Sequence, residues 1–241
     1  TAPAKASRDM YLDKKGNANT DLSQNGRLAV GIPGYVAGFY ATLKHAKLPM
    51  AKLIQPAIDL AEQGFAITEK EANLLNTQMQ YFNEHNKIQT VFQEKNEWKQ
   101  GDILIQKELA ETLKLIQKNG AKGFYEGKTA ELIVAEMKHG NGIITLNDLK
   151  NYKVAERKPI VFDYKGNEIV SMGLPSSGGI LLAQMLKMAG YENLEKYQQN
   201  STEAVQIMVE AERRAFADRA EFMGDPDFIT DKTSMLISDE Y

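Results

Sequence analysis

Apolar residues in this chain recur mostly at intervals of three and four, the period at which one face of a helix repeats. After a turn marked by Pro33 and Gly34, they fall at Val36, Phe39, Tyr40 and Leu43, which predicts a helix from Val36 to His45. Leu53, Ile54, Ala57, Ile58 and Ala61 form a second such face. Pro56 is placed in a first turn, where its missing N–H costs nothing, and Gly64 terminates the run. A polar-faced helix is predicted from Thr68 to Phe82, with Thr68 as its cap. The segment "NKIQTVFQEKNEWKQGDILIQ" breaks the period and predicts short extended pieces around a turn. Two amphipathic helices follow. One carries Leu109, Leu113 and Ile116 and stops at Gly120; the other closes at Gly140 and Gly142. "TLNDLKNYK" has the form of a short capped helical turn.

The period then changes from helical to alternating. Ile160–Tyr164 and Glu168–Met172, joined by "KGN", predict a β-hairpin near 160–172. "LPSSGGILLAQML" leads from it into a helix over Ile180–Ala189. A long final helix begins at Ser201 as cap, with Glu203 in its first turn. The opening through Arg27, rich in Asp, Asn, Lys and Gly, reads as loop. There is no internal repeat and no low-complexity linker, so residues 1–241 are assigned no internal boundary. The fold class is α+β, mainly helical. Its few strands are expected to join a sheet supplied partly from outside the printed chain.

Composition narrows the chemistry more than the fold. The 241 residues are 43% hydrophobic and 25% charged, ordinary for a globular protein, with a formal net charge of −3. Basic residues are scattered among acidic ones, which gives no stripe for nucleic acid. No apolar run is long enough to span a bilayer. With no cysteine, disulfides and thiolate chemistry are excluded. His45, His85 and His139 lie far apart and have no metal-like spacing, so neither a metal nor a cofactor is expected.

Three features could carry chemistry. Ser177 has Gly179 two residues after it but Pro175 two before, so the Gly-x-Ser-x-Gly elbow that exposes a nucleophile is incomplete. A phosphate loop would need Lys and Ser/Thr after the glycines, where Ile180 and Leu181 stand. A strand-to-helix junction accounts for the same residues: Ser176 or Ser177 caps, and the glycines permit tight backbone approach. Exposed amides there could still receive a substrate anion. The stretch "EAERRAFADRAEFMGDPDF" predicts a solvated face with Glu210 paired to Arg214 and with Asp218 and Arg219 anchoring a structural polar network. Thr1 could be an N-terminal nucleophile, but "TAPAKASRD" is a poor central strand.

Several stretches, in order, resemble the large-subunit region of γ-glutamyltranspeptidases, bacterial forms especially. They are "APAKASRDMYLD", "GIPGYVAGF", "LIQPAIDLAEQGFAI", "GAKGFYEGKTAELI", "GIITLNDLKNYK", "SMGLPSSGGILLAQML" and "VEAERRAFADRAEFMGDPDF". Together they cover nearly the whole chain. The resemblance implies the large-subunit portion of an N-terminal-nucleophile hydrolase, an αββα sandwich made as a proenzyme that cleaves itself in two. It implies that the small subunit of the same proenzyme is the partner and that its new N-terminal threonine attacks the γ-glutamyl amide of glutathione or a related substrate. It also implies a periplasmic or secreted location. The family's Thr-Thr-His-like run is absent here, and of its Arg-Glu-x-Ala-Pro pattern only the end survives in "TAPA". Thr1 therefore maps inside the large subunit, and no catalytic residue is expected in this chain, which alone should be inactive. Ser176, Ser177, Gly178 and Gly179 become framework or pocket edge, the substrate-proximal candidates. Two alternatives stay open: a module binding an anionic amino acid or peptide at those residues, and a related acylase such as a cephalosporin acylase.

Overall fold

The computed structural model describes residues 1–86 and 88–241; Lys87, within the segment expected to be extended, lies outside the described residues. The chain groups into two compact units, Thr1–Val154 and Ala155–Tyr241.

The first unit is built of short helices. Its opening is not all loop: α1 (Thr20–Gln24) is capped by the Asn19 side chain, and Leu12 bridges to Ala18. α2 (Tyr35–Thr42) tightens into a 3-10 turn over Leu43–His45, so the helix expected to His45 changes its winding before it ends. The Leu53–Ala61 face is split as well, into α3 (Met50–Leu53) and α4 (Gln55–Gln63). Pro56 gives the reason: it has no N–H for the Lys52 carbonyl, so the helix restarts with the proline in its new first turn.

β1 (Phe65–Ala66) pairs antiparallel with β2 (Ile103–Leu104), and α5 (Glu69–His85) lies between them in sequence. Thr68 and Glu71 close a reciprocal cap at the start of α5: the Glu71 N–H donates to the Thr68 hydroxyl, and the Glu71 carboxylate accepts from the Thr68 N–H. α6 (Lys107–Asn119) buries Ala110 and Ile116, while Leu109, assigned to its inner face, is exposed. The buried face runs through the small Ala110, and Leu109 is turned roughly 100° away from it. α7 (Lys122–Tyr125), α8 (Lys128–His139) and α9 (Leu146–Lys150) complete the unit. One core joins Ile32, Tyr125, Ala130, Met137, Ile144 and Leu149; another joins Ile67, Ala72, Trp98 and Leu104.

The second unit begins with a hairpin. β3 (Ile160–Tyr164) pairs with β4 (Asn167–Ser171), from Ile160 opposite Ser171 to Tyr164 opposite Asn167. The second strand starts one residue earlier than the pattern predicted. Lys165 and Gly166 both adopt positive φ, forming a two-residue turn that lets Asn167 pair at once. α10 (Gly178–Tyr191), α11 (Thr202–Phe222) and α12 (Thr233–Leu236) follow, with the Ser201 hydroxyl capping α11. Ile160 and Phe162 on the inner hairpin face join Leu174, Ile180, Ala183 and Leu236 in one core. On the other face Val161 stands opposite Val170, and both are exposed. Helix predominates in both units and the strands are few, as an α+β reading requires.

Candidate functional site

The junction between β4 and α10 is fixed from both sides. Buried Leu174 anchors it, the Leu174–Pro175 bond is cis, and the Ser176 N–H donates to the Gly173 carbonyl at 3.1 Å. Ser177 stands at the cap position of α10, where its carbonyl accepts the Leu181 N–H at 3.0 Å, but its hydroxyl does not cap the helix. Only Ser176 approaches that role, its Oγ accepting from the Gly178 N–H at a long 3.4 Å.

The two glycines differ in what they permit. A Cβ on Gly179 would overlap the Met172 carbonyl oxygen, so the end of the hairpin and the start of α10 can touch only at glycine. A Cβ on Gly178 would find Ser176 Oγ at 3.6 Å, ordinary contact. The close approach predicted for both belongs to Gly179 alone.

Ser177 has another partner. Arg219, near the end of α11, donates from Nε to Ser177 Oγ at 3.1 Å. That leaves the hydroxyl proton free for an acceptor and sets a guanidinium beside the amides that open α10, a grouping suited to a carboxylate. Arg219 did not stand out as a site residue, because 42 residues separate it from Ser177 and no local spacing joins them. Its neighbour Asp218 accepts from Gln184 Nε2 at 2.6 Å and from the Tyr241 hydroxyl at 2.9 Å. The predicted Glu210–Arg214 pair is not formed. Arg213 takes Glu210 instead, with Nη2 at 2.7 Å, since positions three and four away are equally reachable on a helix.

The remaining candidates stand as follows. Thr1 is exposed, and its carbonyl accepts the Ile32 N–H at 2.9 Å. His139 lies 3.5 Å from Glu136, and His85 packs on the Tyr81 ring. Among the described residues, no three His, Asp or Glu side chains are grouped as metal ligands. No helix among them is long and apolar enough to cross a membrane.

Comparison with known proteins places the chain in a family. The chain is 44% identical over 231 residues to the glutathione hydrolase proenzyme of Escherichia coli (strain K12), covering 95% of this chain and 40% of that protein. It is 38% identical over 243 residues to the glutathione hydrolase proenzyme of Pseudomonas sp. (strain A14), covering all of this chain and 42% of the relative. The chain thus spans about two fifths of the curated relatives it matches. Among solved structures, Helicobacter pylori γ-glutamyltranspeptidase superposes over the whole chain and 70% of its own, with a TM-score of 0.92 and 41% identity. The fold is accordingly that of an N-terminal-nucleophile hydrolase. The family model described as gamma-glutamyltranspeptidase matches residues 1–241, and the chain belongs to that family.

Proposed function

We propose that this chain is the large-subunit portion of a γ-glutamyltranspeptidase precursor, and that residues 1–241 serve it as one functional piece. In the whole protein, the hydroxyl of the small subunit's N-terminal threonine attacks the γ-carbonyl carbon of glutathione. The amide bond breaks, the amine leaves carrying a proton, and a γ-glutamyl ester remains on the threonine. Water or the amino group of an acceptor then attacks that ester and restores the hydroxyl. Backbone donors stabilise the oxyanion in both steps. The nucleophile is contributed from outside this chain, which supplies framework and one edge of the pocket. The parent protein is periplasmic or secreted.

The observation that carries this reading is the family match along the entire chain. Exposed apolar residues support it: Val161, Val170 and Met172 on the hairpin and Phe216 on α11 are surface that the small subunit would cover. Ser176, Ser177, Gly178 and Gly179 are assigned to the substrate edge, with Arg219 holding the Ser177 hydroxyl. Assayed with a γ-glutamyl anilide, the chain alone should give no steady turnover, whereas the whole precursor, once cleaved, should turn the substrate over. Steady turnover by the chain alone would overturn the proposal. In the assembled enzyme, Ser177→Ala raises KM more than it lowers kcat; unchanged kinetics would remove the loop from the pocket.

A further inference from the structure

Asparagine is followed by glycine at three places: Asn25–Gly26, Asn119–Gly120 and Asn141–Gly142. In such a pair the glycine nitrogen can attack the asparagine side-chain carbonyl, because no Cβ on the glycine obstructs the approach. The attack needs that nitrogen unengaged and the two residues able to rotate.

The fold closes two of the three pairs. The Gly120 N–H donates to the Ile116 carbonyl at 2.9 Å, and Asn119 is the last residue of α6. The Gly142 N–H donates to the Met137 carbonyl, also at 2.9 Å, and a Cβ on Gly142 would overlap buried Met137. Gly26 differs. Its N–H has no hydrogen-bond partner among the described residues, and a Cβ there would meet nothing within 4 Å beyond its chain neighbours. Asn25 before it is extended, at φ −119° and ψ 149°.

The Asn25 side chain is held only lightly. Its Nδ2 donates to Asp21 Oδ1 at 2.7 Å, and its Oδ1 accepts from the Tyr81 hydroxyl of α5. Asp21 belongs to α1, which has five residues and buries none of them, so little beyond local hydrogen bonds keeps that turn closed. When it opens, the carboxamide is released from Asp21, while Tyr81 on the 17-residue α5 can still donate to the carbonyl oxygen. A donor there polarises the carbon under attack and steadies the oxyanion that forms.

We propose that Asn25 is a site of spontaneous deamidation, the one Asn-Gly pair that the fold leaves reactive. The Gly26 nitrogen bonds to Asn25 Cγ and gives its proton to solvent. The Cγ–Nδ2 bond breaks, and ammonia leaves with a proton taken from solvent. Water then opens the five-membered imide at either carbonyl, giving aspartate or isoaspartate at position 25. Nothing is oxidised or reduced, and water is the sole co-reactant. The product sets a carboxylate where an amide donated to Asp21, so attraction becomes repulsion across α1. In the isoaspartate form the main chain also gains a methylene just ahead of Arg27, which ties the opening segment to α8 through Glu136. The modification therefore loosens that segment from its neighbours in the first unit. The inference needs nothing from the activity proposed above.

The test keeps the whole protein warm at slightly alkaline pH, in buffer and in urea, and follows it by peptide mass mapping. In buffer the peptide carrying Asn25 should gain the mass of an amide turned to an acid. It should do so at least about tenfold faster than the peptides carrying Asn119 or Asn141, the worth of the hydrogen bond that their glycine amides must first break. In urea the three rates should converge. Asn25→Gln, whose longer side chain would have to close a less favoured six-membered ring, should abolish the gain. Asn25→Asp should lower the urea midpoint of the first unit at neutral pH, read by emission from buried Trp98. Any of three results overturns the proposal: Asn25 reacting no faster in buffer than Asn119 or Asn141, a mass gain undiminished in Asn25→Gln, or an Asn25→Asp midpoint equal to the parent's. An α1 that stays closed would give the first.

Discussion

Asp148, at the start of α9, is 93% buried, with 7% exposure, and it collects donors from the nearby Thr145 and from the distant Ala4. Its Oδ1 accepts the Ala4 N–H at 2.8 Å, while Oδ2 accepts the Thr145 N–H at 2.8 Å and the Thr145 hydroxyl at 2.6 Å. Burial pushes this carboxyl upward, but the donors from Thr145 and Ala4 outweigh it and hold the group below its usual range. A depressed folded pKa adds stability that is fully present above the unfolded value of about 3.9 and is lost as pH falls through the folded one. Asp148→Asn sets an amide donor against one of these N–H groups. It should cost about 1–3 kcal/mol at neutral pH and flatten the decline in stability on acidification. Urea midpoints measured from neutral to strongly acidic pH check both parts; parallel curves for the two proteins would refute them. The Thr145–Asp148 cap is readable in "TLND", but Ala4 is not, because 144 residues separate it from its acceptor.

At the scale of elements, the joint between β4 and α10 depends on one glycine of the pair. Gly179→Ala forces the Met172 carbonyl or the helix to move, and rigid backbone on both sides makes overpacking of about 1–3 kcal/mol the expected loss. Gly178→Ala, whose Cβ would make only an ordinary contact with Ser176 Oγ, should leave the thermal midpoint nearly unchanged. Comparing the two midpoints decides the matter, and equal losses would count against the packing argument. The same contrast marks how far the sequence could be read. Thr68 with Glu71, the stop at Gly120 and the "KGN" hairpin turn were legible because each depends on residues three or fewer apart. The exposure of Leu109 and the choice of Arg213 over Arg214 were not, since neighbours and rotamers decide them. Of the candidate site, the four residues 176–179 were visible as a motif, whereas Arg219 joins them only through the fold.

At the scale of the whole molecule, the two compact units carry separate cores, and the division at Val154 leaves no trace in composition. Ile180 in the second unit and Leu149 in the first are fully buried, so truncating either to alanine should cost about 2–5 kcal/mol in the unit that holds it. Amide hydrogen exchange, read separately over 1–154 and 155–241, reports which unit loosens; no loss of protection in the unit carrying the substitution would refute the assignment of its core. A convenient reporter is already present. Trp98 is the chain's single tryptophan, 3% exposed, with its indole N–H donating to the Phe92 carbonyl and its backbone held by Asn76 through two hydrogen bonds. Ultraviolet emission excited at the indole band thus comes from the first unit alone. It should shift to the red when that unit opens and stay silent to events among the tyrosines of the second.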